Sequence, residues 1–503
     1  MKERIKTMKK LAVFLALLLL ATMLFSCNDK DVSQSTGSTD STSSSDESAS
    51  SEYVKLDKYY ENGVLRILGK KDGAHTYSKR QWLYNEELLG ETINDAVDTR
   101  NRWLLENYGI EVQYTADTSG NYFINDTVQL LVDSGTDEYD VVCDSLTALS
   151  TLAQKGALYA LDELEYLDLA NDRWDQAVTE KLSILGKTYY AAGDILITDD
   201  DYTYCTLYNK DMFTEYDLGA ICGESNMYDL VDNGGWTYDQ MHQMTKQVAG
   251  EVDGDGTMTK YDRWGVVSDI SSIYILMAGS NYSMSQLVDG EPQLSVQSDR
   301  AINLFTKASE LLNDADVSLY SERIGGSSYY SDGEAIFGDG RSLFYIWKIS
   351  AIYNFAADFT VNFGVLPIPK AEEDQSSYYN AAAYIHFSAV AIPITNGDNL
   401  ELTCVALEAL AALGKEYLTP AYIETTLKLK KLQDDNDSRM IDLIIGNRTF
   451  DLATIYDWGG LGSFFNKFAA TGNTEMVSAW NAIASSTQAA MEETVEVFRK
   501  LGN

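Results

Sequence analysis

The stretch TINDAVDTRNRWLLENYGIEVQY, Thr92 to Tyr114, sets the architecture. Ile93, Ala96, Val97, Leu104 and Leu105 recur at helical spacing, which predicts a helix over Thr92–Tyr108 with one apolar face. Gly109 ends it, because glycine enters the left-handed conformation without a Cβ penalty. Ile110, Val112 and Tyr114 then alternate, the period of a half-buried strand. Upstream, Leu65–Leu68 reads as another strand. Downstream, Leu130 and Leu131 fall in a short helix, Tyr139–Cys143 is a compact buried strand, and Leu146, Leu149 and Leu152 open a helix ended by Gly156. This order predicts an α/β fold with a mostly parallel sheet covered by helices. The pattern returns beyond residue 200 and near 385–415. Leu402–Leu413, Ile423–Ile445 and Glu475–Leu501 read as largely helical, and no short internal repeat is visible.

The chain has 503 residues, enough for two or three domains at ~150 residues each. Its 45% hydrophobic and 23% charged residues are an ordinary globular balance. Asp and Glu number 76 against 38 Lys and Arg, a net charge of −38. A polyanion of that size is a poor partner for nucleic acid or an anionic lipid surface, and suits neutral or cationic ligands. Three histidines, His75, His242 and His386, stand far apart, so no local two-histidine zinc signature exists. The 33 tyrosines each offer an apolar ring with a hydrogen-bonding tip.

Lys2, Arg4, Lys6, Lys9 and Lys10 precede the apolar run Leu11–Leu20, the layout of a secretory signal over residues 1–26. Leu24-Phe25-Ser26-Cys27 resembles a bacterial lipobox, which implies that Cys27 is acylated and becomes the first mature residue. The shortened chain then carries 33 bases and 75 acids, a net of −42. Residues 27–52, rich in Ser and Thr, cannot offset their ordering entropy by burial and are expected to be a disordered tether. Cys143 and Cys404 read as core thiols. Cys205 and Cys222 could pair in an oxidising exterior, which the sequence leaves open.

Residues 251–262, EVDGDGTMTKYD, match the spacing of a calcium loop. Oxygen ligands are needed at positions 1, 3, 5, 7, 9 and 12, with glycine at 6. The candidates are Glu251, Asp253, Asp255, Thr257 by its carbonyl, Thr259 and Asp262, with Gly256 at the turn. A start at Asp253 would put Trp264 at position 12, where it cannot ligate. Glu at 1 and Asp at 12 depart from the usual pattern. A structural half-hand is expected; the plainer reading is an acidic surface turn.

Five further segments, in order, resemble the family of extracellular solute-binding lipoproteins of ABC importers that includes maltose-binding protein. They are Gly186-Lys-Thr-Tyr-Tyr-Ala-Ala-Gly-Asp194, Leu207-Tyr-Asn-Lys-Asp-Met-Phe213, Asn233-Gly-Gly-Trp-Thr-Tyr-Asp239, Phe337-Gly-Asp-Gly-Arg-Ser-Leu-Phe-Tyr345 and Phe363-Gly-Val-Leu-Pro-Ile-Pro369. The resemblance implies a two-lobed periplasmic-binding-protein-like fold of type II, with an interlobe ligand cleft and three hinge crossovers near 203–209, 361–367 and 416–424. Lobe 1 would be 53–205 plus 364–418, and lobe 2 would be 206–363 plus 419–503. It implies a monomer on the outer face of the cytoplasmic membrane of a Gram-positive bacterium, passing its cargo to an ABC permease. A hinged cleft that closes on ligand is the matching mechanics.

A neutral carbohydrate needs aromatic plates and carboxylate or amide partners. The resemblance, together with placement at strand ends, gives Trp82, Asp144, Ser145, Asp201, Asp269, Tyr274, Trp347 and Trp458 as ligand residues, with Asp200 and Tyr202 beside Asp201. For each aromatic the competing reading is core packing, and for each acid a cap or surface charge. No catalytic residue is expected. The competing functions are a receptor for short peptides or another small solute, a surface adhesin or sensor, and a secreted glycoside hydrolase, which needs two placed carboxylates. The absence of a G-x-S-x-G elbow speaks against a serine hydrolase.

Overall fold

A computed structural model describes residues 53–71, 77–354, 360–429, 432 and 434–502. The signal segment, Cys27, the tether and His75 lie outside the described residues. Among the described residues thirteen strands follow one another: β1 (Gly63–Gly69), β2 (Ile110–Ala116), β3 (Val141–Ser145), β4 (Tyr204–Asn209), β5 (Trp264–Ser268), β6 (Ser285–Val288), β7 (Glu291–Leu294), β8 (Ser318–Tyr320), β9 (Ser342–Lys348), β10 (Phe363–Leu366), β11 (Asn380–Ala381), β12 (Ser388–Ala391) and β13 (Arg448–Thr449). They build two main sheets, ordered β12-β3-β1-β2 and β10-β4-β9-β5-β8.

Each main sheet is parallel except for one strand. β12 runs against β3, and β4 runs against both β9 and β10. Each reversed strand is the first main-sheet strand that the chain lays down after leaving the other main sheet. The two crossing segments touch: Thr203 bridges Ala382, and Ala383 N–H donates to Tyr202 O at 2.8 Å. This is the two-lobed type II architecture, with paired crossing strands at its junction.

The helix Thr92–Tyr108 forms as its spacing predicts, and Gly109 closes it at φ 71 with its N–H on Leu105 O. Ile93, Val97, Leu104 and Tyr108 are buried against the first sheet. Its second function is electrostatic. Arg100 is wholly buried and donates to the carbonyls of Gln81 (2.6 Å) and Ile195 (3.2 Å), so burial pulls its pKa down to about 9.

The described chain departs from the expected segment limits in three places. Phe363–Leu366 belongs to the second sheet, paired with β4, so the return to the first sheet falls after Leu366. The helix Leu400–Leu413 runs on through wider turns to Leu429, with Tyr422 and Leu427 buried. That extension packs on Thr92–Tyr108, whereas the next helix, Asp435–Gly446, packs on β10. The C-terminal helix Ala484–Leu501 serves both sides. Thr494 accepts from Gln154 Nε2 at 3.3 Å, while Arg499 is paired with Glu291 of β7. All four described cysteines are free thiols, so Cys205 and Cys222 do not pair; Cys205 is enclosed in β4. Among the described residues no helix is long and apolar enough to cross a membrane.

Candidate ligand-binding site

A cavity of about 240 Å³ opens where β5, β8 and β9 end and β4 begins, facing the crossing segment 381–386. This is the strand-end position where open α/β sheets bind ligands. Its wall carries the rings of Tyr204, Tyr274, Tyr329, Tyr330, Tyr384 and Phe465, the imidazole of His386, the carboxylates of Asp269 and Glu322, and the ammonium of Lys348.

Each polar group is placed by its own element. Asp269 follows β5, and its Oδ1 accepts from Ser271 N–H at 2.9 Å and from the Ser271 hydroxyl, which fixes the carboxylate and leaves Oδ2 toward Lys348. Glu322 follows β8 and accepts from Ile270 N–H at 3.2 Å; burial raises its pKa. Lys348 closes β9, and burial pulls its pKa down. Its Nζ lies 3.6 Å from the Trp347 ring centre and 5.0 Å from that of Tyr204. Tyr274 stacks on Phe465 at 6.0 Å, 17° from parallel, and donates to Asp451 Oδ2 at 2.9 Å. Asp451 is itself fixed by Met284 N–H at 2.6 Å and the Ser285 hydroxyl at 2.7 Å. Tyr384 donates to Gly462 O at 2.7 Å. Beyond the cavity, His386 Nδ1 lies 3.1 Å from the Tyr122 hydroxyl.

Of the residues expected at the site, Asp269 and Tyr274 line this cavity. Trp347 stands beside it, half-buried, parallel to Tyr345 and against Tyr330. The others do not line it. Trp82 is fully enclosed beneath Arg100. Trp458 stacks on Tyr456 and donates to Thr494 Oγ1 at 2.9 Å. Gly459, at φ 60, lets that packing happen, because a Cβ there would meet Thr487 Oγ1 at 2.1 Å. Asp144 is spent on Lys70 (2.9 Å) and on Ile124 N–H (2.8 Å), and Ser145 caps the helix Leu146–Gln154. Asp201 accepts from the Tyr422 hydroxyl, and Asp200 pairs with Arg448 at 2.7 Å. Tyr202 packs its ring on His386, at 5.2 Å.

The sequence reading missed Tyr204, Glu322, Tyr329, Tyr330, Lys348, Tyr384, His386 and Phe465. Lys348 was legible in principle as the residue that ends β9, next to Trp347. The adjacent pair Tyr329-Tyr330 was a second available signal.

In the acidic loop, carboxylate oxygens of Glu251, Asp253 and Asp255 lie within 4.8 Å of one another, all exposed. Asp262 is not free to join them: its oxygens accept from Val252 N–H (2.8 Å) and Thr259 N–H (2.7 Å). The Thr259 hydroxyl also turns to Asp262, at 3.1 Å. The oxygens at positions 1, 3 and 5 converge, and they too accept from loop N–H groups, Asp255 N–H on Glu251 and Asp253 at 3.1 Å each and Thr257 N–H on Asp255 at 2.7 Å.

Two sheets with exchanged strands and a lined cavity at their junction define a two-lobed binding protein. The family model described as bacterial extracellular solute-binding protein matches residues 104–426, and the chain belongs to that family. It is a binding protein, not an enzyme, and its place is extracellular. No curated protein matches the chain. Among solved structures, the apo form of RafE from Streptococcus pneumoniae superposes with a TM-score of 0.54 at 15% identity, over 86% of this chain and 99% of that one. A cyclo/maltodextrin-binding protein complexed with maltotetraose gives 0.54 at 14% identity, over 88% and 98%. The maltose/maltodextrin-binding domain MalE from Bdellovibrio bacteriovorus, bound to maltotriose, gives 0.52 at 14% identity, over 86% and 100%. At such identities the likeness is one of fold.

Proposed function

We propose that this protein captures a neutral carbohydrate in the junction cavity and hands it to an ABC permease, held at the membrane by an acylated Cys27. The observation that carries the reading is the lining itself. Tyr204, Tyr274, Tyr329, Tyr330 and Tyr384 offer flat rings to sugar faces, while Asp269, Glu322 and Lys348 offer acceptors and donors to hydroxyls. The relatives of known structure that hold maltotetraose and maltotriose support the same ligand class. The cavity, about 240 Å³, lies just under the ~300 Å³ at which ligand pockets usually begin. A short saccharide fits that size better than a long chain. Calorimetry of the mature chain with glucose, galactose, maltose and maltotriose tests this. Saturable one-to-one binding without release of reducing ends is expected. Binding of di- and tripeptides with no response to any sugar would replace the reading with that of a peptide receptor.

We also propose that Glu251, Asp253 and Asp255 hold a calcium ion as a structural clip on the loop, with the Thr257 carbonyl completing the set. The convergence of the three carboxylates supports it. Such an ion would fix the loop and take no part in capture, because the loop contributes nothing to the cavity wall.

A further inference from the structure

Lys348 is the only Lys or Arg lining the cavity among the described residues, and it is 7% exposed. Its ammonium has three donors. None makes a hydrogen bond among the described residues, and the nearest carboxylate oxygen, Asp269 Oδ2, is 3.9 Å away. The side chain is sunk in the wall but its ammonium opens on the cavity, so an entering ligand meets donors that no protein acceptor holds. The gap has a chemical meaning. At 3.9 Å a donor and an acceptor are too far apart to bond directly, yet one hydroxyl set between and to the side can accept from Nζ while donating to Oδ2. Two hydroxyls on adjacent carbons can do the same, one each.

Resting on the carbohydrate reading above, we infer that Lys348 and Asp269 together form the specificity pair of the cavity, selecting a neutral saccharide through one hydroxyl or a vicinal diol and rejecting its uronic-acid and amino-sugar counterparts. The neighbours set the exclusions. A ligand carboxylate seated at Lys348 would face Asp269 and Glu322, two acids against one base. A ligand ammonium would compete with Lys348 for the place over the Trp347 and Tyr204 rings that Lys348 already fills. Only a group that donates and accepts satisfies both partners at once, and a site built this way discriminates sharply against an analogue lacking the group.

The test measures calorimetric affinities of the wild type, Lys348→Met and Asp269→Asn for glucose, galactose and maltose, with their monodeoxy, uronate and 2-amino analogues. For the tightest neutral sugar, Lys348→Met should weaken binding at least tenfold. One deoxy position should weaken the wild type equally and cost the variant nothing further. The uronate and amino analogues should bind the wild type at least tenfold less well than the parent sugar. The inference fails if Lys348→Met, with an unchanged far-ultraviolet spectrum, keeps wild-type affinity. It fails equally if no deoxy position matters or if a uronate binds best. Should Lys348→Met not fold, the analogue series on the wild type decides alone. If no sugar binds the wild type at all, the carbohydrate reading falls and takes this pair with it, whereas sugar binding indifferent to Lys348 sinks only the pair.

Discussion

Arg448 donates through Nη1 to Asp200 Oδ1 at 2.7 Å and reaches Asp175 Oδ2 with Nη2 at 2.8 Å, all three side chains being nearly inaccessible to water. The contact joins β13, which follows the helix packed on β10, to the turn Thr198–Asp201 that leads into β4. Burial raises the carboxyl pKa of Asp200 and drives that of Asp199 well up, while Arg448 opposes both shifts.

Removing that base therefore strands acids. Arg448→Met should destabilise the protein by ~3–5 kcal/mol at neutral pH, the usual cost of breaking a buried pair from one side. The deficit should shrink as pH falls, because the stranded carboxyls then take up protons. Urea unfolding of both proteins at pH 5 and pH 8 measures it, and an equal deficit at the two values would contradict the ion-pair account.

Asp194 makes a separate contribution to pH dependence. Burial lifts its pKa to about 6, despite the Thr419 hydroxyl at 2.6 Å. A folded-state value above the unfolded one means the native protein binds the proton more tightly. Stability from this group is thus fully present below pH ~4 and is lost as pH rises through 6. Asp194→Asn keeps the acceptor and removes the titration. It should be more stable than the wild type above pH 6, by on the order of 1–3 kcal/mol, with the difference vanishing near pH 4. Thermal melts across pH 4–8 check the sign.

The enclosed indoles of Trp82 and Trp458 should report on folding and not on capture. Trp458→Ala should cost ~3–5 kcal/mol of stability, as large buried rings do, and leave sugar affinity unchanged at a temperature where the variant stays folded. Tyr274→Ala, which removes a cavity ring tied to Asp451, should do the reverse in affinity. Paired melting and calorimetry separate the two.

For the acidic loop, chelation should lower the melting temperature of the wild type without abolishing binding. Asp253→Asn with Asp255→Asn should remove that response. Asp262→Asn should destabilise with or without chelator, since Asp262 holds Val252 and Thr259 by their N–H groups. Indifference of the wild type to chelation would reduce the loop to a turn.

The elements of the first sheet were plain in the sequence because local rules decide them. The spacing of Ile93, Val97 and Leu104 and the stop at Gly109 act within a few residues. The cavity was half legible. Asp269 and Tyr274, expected from the resemblance and from strand-end placement, come after β5 and line the cavity. Trp347 stands next to Lys348, the β9 side chain that lines the cavity and whose ammonium lies 3.6 Å from the Trp347 ring centre. Trp458 is placed at the site by the family resemblance and by no local pattern. Here the positive-φ glycines fold the ring inward onto Tyr456. Tyr384 and Phe465 come from distant segments that only the tertiary fold brings beside β5, so no local pattern marks them.

The most direct test is calorimetric titration of the mature chain with neutral saccharides and short peptides, together with an assay for newly released reducing ends. One saccharide should bind one-to-one, weaken on loss of Tyr274, and be recovered intact. A peptide binding in its place, or a sugar returned cleaved, would contradict the account.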